Sequence, residues 1–267
     1  RMPTLSGARR RGFPPAAIRN FWERLGYSKQ NATIEYSVLE GCVREVLDAS
    51  APRRMGVIDP LKLVISNLPA DHVEHLGFAN HPKDESFGTR QVPFSPVLWI
   101  EREDFMEVPV KGFHRLYPGN MVRLRYGFVV KCTGCEKDAD GNITAVLAEY
   151  MPDSKSGTPG ADDYKVKGNL HWVSAAHGYE AQVRIYDRLF AHPHPGQRRE
   201  GDAPDFERDF LTDINPDSKR VITAYLEPAL KDAQPEEHFQ FERHGYFVAD
   251  RVNSKPGAPV FNRTVTL

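Results

Sequence analysis

Three arginines in an acid-free stretch are the residues of this sequence best suited to chemistry. Residues 111–131, which hold the string FHRLYPGNMVRLRYGF, carry Lys111, Arg115, Arg123, Arg125 and Lys131 with no Asp or Glu. If 121–127 is a strand, Arg123 and Arg125 share a face, because side chains alternate with period two. Phe113, Tyr117 and Tyr126 are interleaved with these cations. Unpaired RNA bases are read by planar guanidinium forks on their edges and by stacking on aromatic rings. A solvated face making exposed salt bridges fits the same pattern, so pattern alone leaves two readings open.

Other reactive residue types lack the spacing their chemistry needs. Cys132 and Cys135 form a CxxC, but a structural zinc needs four ligands and no second cysteine pair exists. A thioredoxin-like pair wants a βαβ setting, whereas this one leads into a hairpin. The string Asp138-Ala139-Asp140-Gly141-Asn142 resembles the start of a calcium loop. Its glycine comes too early, and no glutamate closes a twelve-residue frame, so it reads as a turn. His72/His75 and His192/His194 read as solvated loop histidines. No GxxxxGK[ST] loop, no GxGxxG and no recognisable nucleophile setting is found. No catalytic residue and no metal site is expected.

Two textures position these residues. Ile18, Phe21, Trp22 and Leu25 recur at helical spacing after Pro14 and Pro15, which suit a first turn, and Gly26 is a plausible stop. Ile34, Leu39, Val43, Val46 and Leu47 mark a second helix that ends by Pro52. Beyond Pro52, short β-branched and aromatic runs are expected as strands at 61–66, 97–101, 121–132, 143–150, 170–174, 183–190, 220–226, 245–250 and 260–266. Such spacing argues for sandwiches or barrels. The clearest hairpin joins RYGFVVKC to ITAVLAEY, with Asp140-Gly141 supplying the positive-φ turn. Runs at 152–163 and 191–206 read as mobile loops.

Length and charge set bounds. At 267 residues the chain can form two or three compact units. With 40% hydrophobic and 27% charged residues it reads as an ordinary soluble protein, without a membrane-length apolar run or a signal peptide. Three cysteines favour a reducing, cytosolic setting. The net charge of −1 hides an uneven distribution: residues 1–54 carry ten Lys/Arg against five acids, and 195–240 eleven acids against six bases. Local basic patches can bind phosphate while the whole stays neutral. Arg1 precedes Met2, and the opening RMPTLSGARRRGF reads as the interior of a longer protein.

Several longer strings resemble the C-terminal half of the glutaminyl-tRNA synthetases, in order and at near-matching spacing. They are RMPTLSGARRRGF, APRRMGVIDPLKLVI, NHPKDESFGTRQVPFS, LWIEREDF, KVKGNLHWVSAAH, RIYDRLF, FQFERHGYF and FNRTVTL. The related glutamyl-tRNA synthetases share some of them, but FQFERHGYF and RRRGF fit the glutaminyl branch better.

The resemblance implies a mainly β fold with a small N-terminal helical subdomain and two ribosomal protein L25-like β-barrels, the distal one inserted into the proximal one. It implies a helical subdomain at 1–50, a proximal anticodon-binding barrel at 51–90 and 175–267, and a distal barrel at 91–174. It implies that Arg53, Gln240 and Arg243 read the central anticodon base, Arg115 the third, and Arg125 with Arg123 the first. Lys29 and Gln30 fall near the tRNA backbone. Lys83, Gly112 and His114 depart from a bacterial relative, which weakens the peripheral loop contacts more than the arginine set. The implied protein is a cytoplasmic, monomeric glutamine–tRNA ligase acting on glutamine tRNA with ATP and magnesium. This chain would bind neither cofactor and would be inactive alone, its catalytic domain lying upstream. A glutamyl-type synthetase, or a free-standing two-barrel interaction module, is the alternative.

Overall fold

The computed structural model describes residues 4–26, 33–203 and 206–267. Three α-helices open the described chain: α1 (Leu5–Arg11), α2 (Pro15–Leu25) and α3 (Tyr36–Ser50). Thr4 caps α1 through its side chain, which accepts the Gly7 N–H, and Pro15 takes the first position of α2. Gly26, at φ 67°, ends α2, as the sequence predicts. α1 is an addition: its Arg-rich heptapeptide has no apolar period to betray it. The helices bury Phe13, Ala17, Cys42, Val43, Leu47 and Ala51 against Tyr246 and Val265. No helix among the described residues is long and apolar enough to cross a membrane.

The remainder is two curled, seven-stranded, barrel-like sheets. The first runs in the order β1 (Arg53–Arg54), β14 (His238–Phe241), β15 (Gly245–Ala249), β16 (Phe261–Val265), β12 (Tyr179–Tyr186), β13 (Lys219–Leu226) and β2 (Gly56–Val57). The second runs β10 (Gly168–Leu170), β7 (Met121–Leu124), β8 (Val129–Lys137), β9 (Ile143–Tyr150), β3 (Pro60–Ile65), β6 (Val97–Glu101) and β11 (Val173–Ser174). A two-stranded ribbon, β4 (Glu74–Ala79) with β5 (Thr89–Phe94), completes the strands. This is the mainly β, two-barrel architecture expected from the sequence.

The strands divide between the sheets differently from the expected segment 51–90. Only β1 and β2 of that stretch join the first sheet, whereas β3 pairs with β6 and β9 of the second. The cause is apolar alternation: Leu61, Leu63 and Ile65 all point into the core that holds Trp172, Leu98 and Val146. The ribbon adds Leu76, Phe78, Val92 and Phe94 to that same core. The chain therefore leaves the first sheet after Val57 and returns to it at Tyr179.

Two further differences are local. The single strand expected at 121–132 is a hairpin, β7 to β8, because Tyr126 adopts φ 58° and Gly127 N–H donates to the Leu124 carbonyl. Residues 152–163, expected as a mobile loop, form short 3-10 turns that bury Ser154 and Ala161. Ser154 Oγ accepts the Val129 N–H at 2.7 Å and donates to the Met151 carbonyl, which pins the loop to β8. The hairpin through Asp140-Gly141 forms as predicted, with Gly141 at φ 84°.

Candidate nucleic-acid interface

The two sheets meet along a seam of aromatic and ionic contacts. Trp99 of β6 stacks on Tyr225 of β13, ring centroids 4.3 Å apart. Glu227, just after β13, holds Arg90 of β5 through both oxygens, at 2.5 and 3.0 Å. Further along, the β14–β15 turn carries Glu242, Arg243 and His244 into the second sheet's rim. Most of the arginines singled out in the sequence converge there.

Arg243 sits in that turn at φ 69°, a left-handed conformation that costs a non-glycine residue about 1 kcal/mol. Its guanidinium donates to Asp104 in a bidentate pair, Nη1 to Oδ2 at 2.6 Å and Nη2 to Oδ1 at 2.8 Å. Nη2 also reaches Glu103 Oε1 at 3.2 Å. Burial pulls this guanidinium's pKa down, but the Asp104 hydrogen bond and charge outweigh it and leave it raised. Arg115 arrives from the other sheet: its Nη1 lies 3.2 Å from Asp104 Oδ1 and donates to Glu103 Oε1 at 3.2 Å. Arg125 Nη2 pairs with Glu242 Oε2 at 3.2 Å, and its guanidinium carbon lies 5.0 Å from the Tyr126 ring centre.

The sequence-local absence of acids around these arginines is thus reversed in space. Glu103 and Asp104, just upstream of the string FHRLYPGNMVRLRYGF, neutralise Arg115, and Glu242, from the far end of the chain, neutralises Arg125. Donors nonetheless remain. An arginine carries five N–H groups. Neither Nε nor Nη2 of Arg115 bonds to a described residue, nor does Nε of Arg243 or Nη1 of Arg125.

Arg53 and Gln240 form a second group. They face each other across the parallel β1–β14 pair. Arg53 is buried, and its guanidinium is spent on α3: Nη2 donates to Asp48 Oδ1 at 2.6 Å, and Nη1 to the Asp48 and Ala51 carbonyls. Gln240 is half-buried, and its side-chain amide has no partner among the described residues. Arg123 joins neither group. It turns onto the 152–163 segment, donating to the Ser154 carbonyl at 2.7 Å and the Ala161 carbonyl at 2.8 Å. Its period-two kinship with Arg125 therefore does not bring the two heads together. Lys29 and Gln30 lie outside the described residues.

Sequence reasoning missed the carboxylates and a hub beside them. Glu101 is buried and accepts the Ile58 and Asp59 N–H groups, at 2.7 and 2.9 Å. His244 Nε2 and His171 Nε2 approach its Oε1, at 2.7 and 3.2 Å. Burial pushes the Glu101 carboxyl up, but hydrogen bonds from both imidazoles win and hold it well below the usual range. Burial lowers the His171 pKa and favours its neutral ring. These three side chains bring ligand atoms within 4.8 Å of one another, a spacing a metal could use. Both Glu101 oxygens are already occupied by hydrogen bonds, so the trio reads as a polar hub supporting Arg243, whose Nη1 is 3.5 Å from His171 Nδ1.

Comparison with known proteins gives this seam a context. Residues 51–151 and 169–250 match two families, each described as tRNA synthetases class I (E and Q), anti-codon binding domain. With two barrel-like sheets in the matched segments, the chain belongs to the anticodon-binding domains of the class I (E and Q) tRNA synthetases. Within that class it is 60% identical over 267 residues to the glutamine–tRNA ligase of Ralstonia nicotianae, covering 100% of this chain and 45% of the relative. The glutamine–tRNA ligases of Cupriavidus metallidurans and Xanthomonas oryzae are 59% and 57% identical over the whole chain, which covers 44% and 45% of them. The chain spans a little under half the length of the curated relatives it matches.

Proposed function

We propose that this chain reads the anticodon of glutamine tRNA, as the anticodon-binding part of a glutamine–tRNA ligase. The observation that carries the reading is the seam itself. Arg115, Arg125 and Arg243 are fixed there by carboxylates through some donors, while other donors have no partner among the described residues. Gln240, with an unengaged amide, stands one short turn from Arg243. A guanidinium locked in place loses little entropy on meeting a base edge, which favours selection over mere attraction.

On this reading Arg243 and Gln240 face the central base, Arg115 the third and Arg125 the first. Arg53 acts by bracing β1 against α3 rather than by touching a base, since its head is committed to Asp48 and Ala51. Arg123 likewise shapes the 152–163 segment. Aminoacylation, with its ATP and magnesium, belongs to the remaining length of the ligase, a cytoplasmic monomer. Lys29 and Gln30 serve the tRNA backbone.

The test is binding of glutamine tRNA and of anticodon-substituted tRNA to the chain at one fixed salt concentration, since phosphate contacts alone give affinity without selection. Substitution of the central base should weaken binding by about tenfold or more, the scale of a lost polar base contact. Arg243→Ala and Arg115→Ala should each erase most of the discrimination. Equal affinity for all anticodons would overturn the reading and favour a two-barrel interaction module. A preference for the third base of a glutamate anticodon would assign the chain to the glutamyl type.

A further inference from the structure

We propose that Asp104 is the positioning residue that ties two base-reading guanidiniums together, so that selection of the central and third anticodon bases is coupled through one buried carboxylate. This rests on the anticodon-reading function above and adds to it a residue that touches no base.

Asp104 is fully buried at the end of β6's short 3-10 extension, Arg102–Asp104. Its Oδ1 takes both cations at once: Arg243 Nη2 at 2.8 Å from the β14–β15 turn, and Arg115 Nη1 at 3.2 Å. The backbone reinforces the arrangement. Leu116 N–H donates to the Asp104 carbonyl at 2.9 Å, so Arg115 is anchored beside Asp104 by main chain as well as by charge. Glu103, largely exposed, lies 3.2 Å from each guanidinium and completes a set of two acids and two arginines.

The distribution of donors makes this a coupling device rather than a simple brace. Arg243 holds Asp104 by two hydrogen bonds, whereas Arg115 meets it by an ion-pair contact alone at 3.2 Å. A buried carboxylate needs full compensation, because an uncompensated charge in a low-dielectric setting is costly. If Arg243 is lost, Arg115 is the remaining cation able to satisfy both oxygens, and taking them turns its open Nε and Nη2 away from their base. The third-base reader therefore depends on the central-base reader, although no bond joins them directly.

The experiment measures dissociation constants of the 267-residue chain for anticodon stem–loop RNAs, matched or substituted at the central or third base, at one salt concentration. Asp104→Asn keeps the shape but removes the charge that gathers the guanidiniums. Discrimination at both bases should fall about tenfold, while affinity for the RNAs substituted at either base stays nearly put because no phosphate contact is lost. A purely structural role would weaken all RNAs alike and leave the ratios unchanged, which would overturn the proposal. So would a loss confined to one base. If Asp104→Asn does not fold, Arg243→Ala decides: the proposal requires it to reduce third-base discrimination along with central-base discrimination, and an unchanged third-base ratio overturns it. Absence of any base preference in the unmodified chain is a separate result, which removes the anticodon-reading function and this coupling with it.

Discussion

Arg115 and Arg243, carried by different sheets, reach the same oxygen of Asp104, at 3.2 and 2.8 Å. The seam between the two barrels is therefore not a bare cationic surface. Each arginine offered toward solvent is also held by a carboxylate from elsewhere in the chain, and that pairing has measurable consequences beyond RNA selection.

Glu242→Gln should tighten RNA binding. Glu242 is nearly buried, its Oε2 faces Arg125 Nη2 at 3.2 Å, and its Oε1 has no hydrogen-bond partner. Removing its charge frees Arg125 from a competitor for the same guanidinium while keeping the packing. An ion pair this close to solvent is worth about 0.5–1 kcal/mol, so affinity should rise about two- to fivefold. Fluorescence anisotropy with an anticodon stem–loop RNA checks it. Weaker binding would mean that Glu242 orients Arg125 instead of competing for it.

Glu227 should be among the most sensitive positions for stability. Its carboxylate is fully buried, binds Arg90 through both oxygens and accepts the Met55 N–H at 2.9 Å. Arg54 Nε is 3.7 Å away, and burial together with the neighbouring Arg90 brings the Arg54 pKa down to about 10. Glu227→Ala leaves two clustered guanidiniums without their counter-charge, and the expected loss is about 3–5 kcal/mol. Urea titration measures it, and a loss below 1 kcal/mol would show that water repairs the site.

Gly12→Ala should detach the helical subdomain from the first sheet. Gly12 ends α1 at φ 96°, where a Cβ would press on Thr264 Oγ1 and lie 2.8 Å from Val248 Cβ. Left-handed strain and overpacking together predict about 2–4 kcal/mol of destabilisation. Hydrogen exchange should localise the damage to α1 and β16, with the second sheet's protection unchanged.

Much of the fold is legible because its signals are local. Pro15 and Gly26 bracket α2, and Asp140-Gly141 marks the β8–β9 hairpin, each by backbone preferences a short window contains. The β4–β5 ribbon is hidden because Gly77 and Pro93 sit inside its strands, where either residue argues against one. The β7–β8 turn is hidden because Tyr126, not a glycine, takes the positive φ. The site was half visible for a different reason. Family strings pick out Arg115, Arg125 and Arg243, but the pairs Asp104–Arg243 and Glu242–Arg125 join residues over 100 positions apart and form only when the sheets dock. Arg53 shows the converse: its type suits a base reader, and only the fold reveals a head already bonded to Asp48.

Acid should loosen the contact between α1 and the first sheet through Asp250. This fully buried carboxylate accepts Arg10 Nε at 2.9 Å, Asn262 Nδ2 at 2.6 Å and the Val252 and Asn253 N–H groups. Burial pushes its pKa up, but the Arg10 and Asn262 hydrogen bonds prevail and lower it to about 2 from the ordinary 3.8. Because the folded value is depressed, the unfolded chain takes up the proton first as pH falls. The stabilisation is complete above pH 4 and is lost as pH drops toward the folded value. The shift corresponds to about 2 kcal/mol, with about half gone by pH 3. Asp250→Asn removes the titrating group, so the stability gap between wild type and variant should hold nearly constant from pH 5 to about pH 4 and narrow from there to pH 3 in urea titrations. A gap constant across that range would show that Asp250 keeps its proton equilibrium unchanged on folding, and that the Arg10 pair contributes by packing alone.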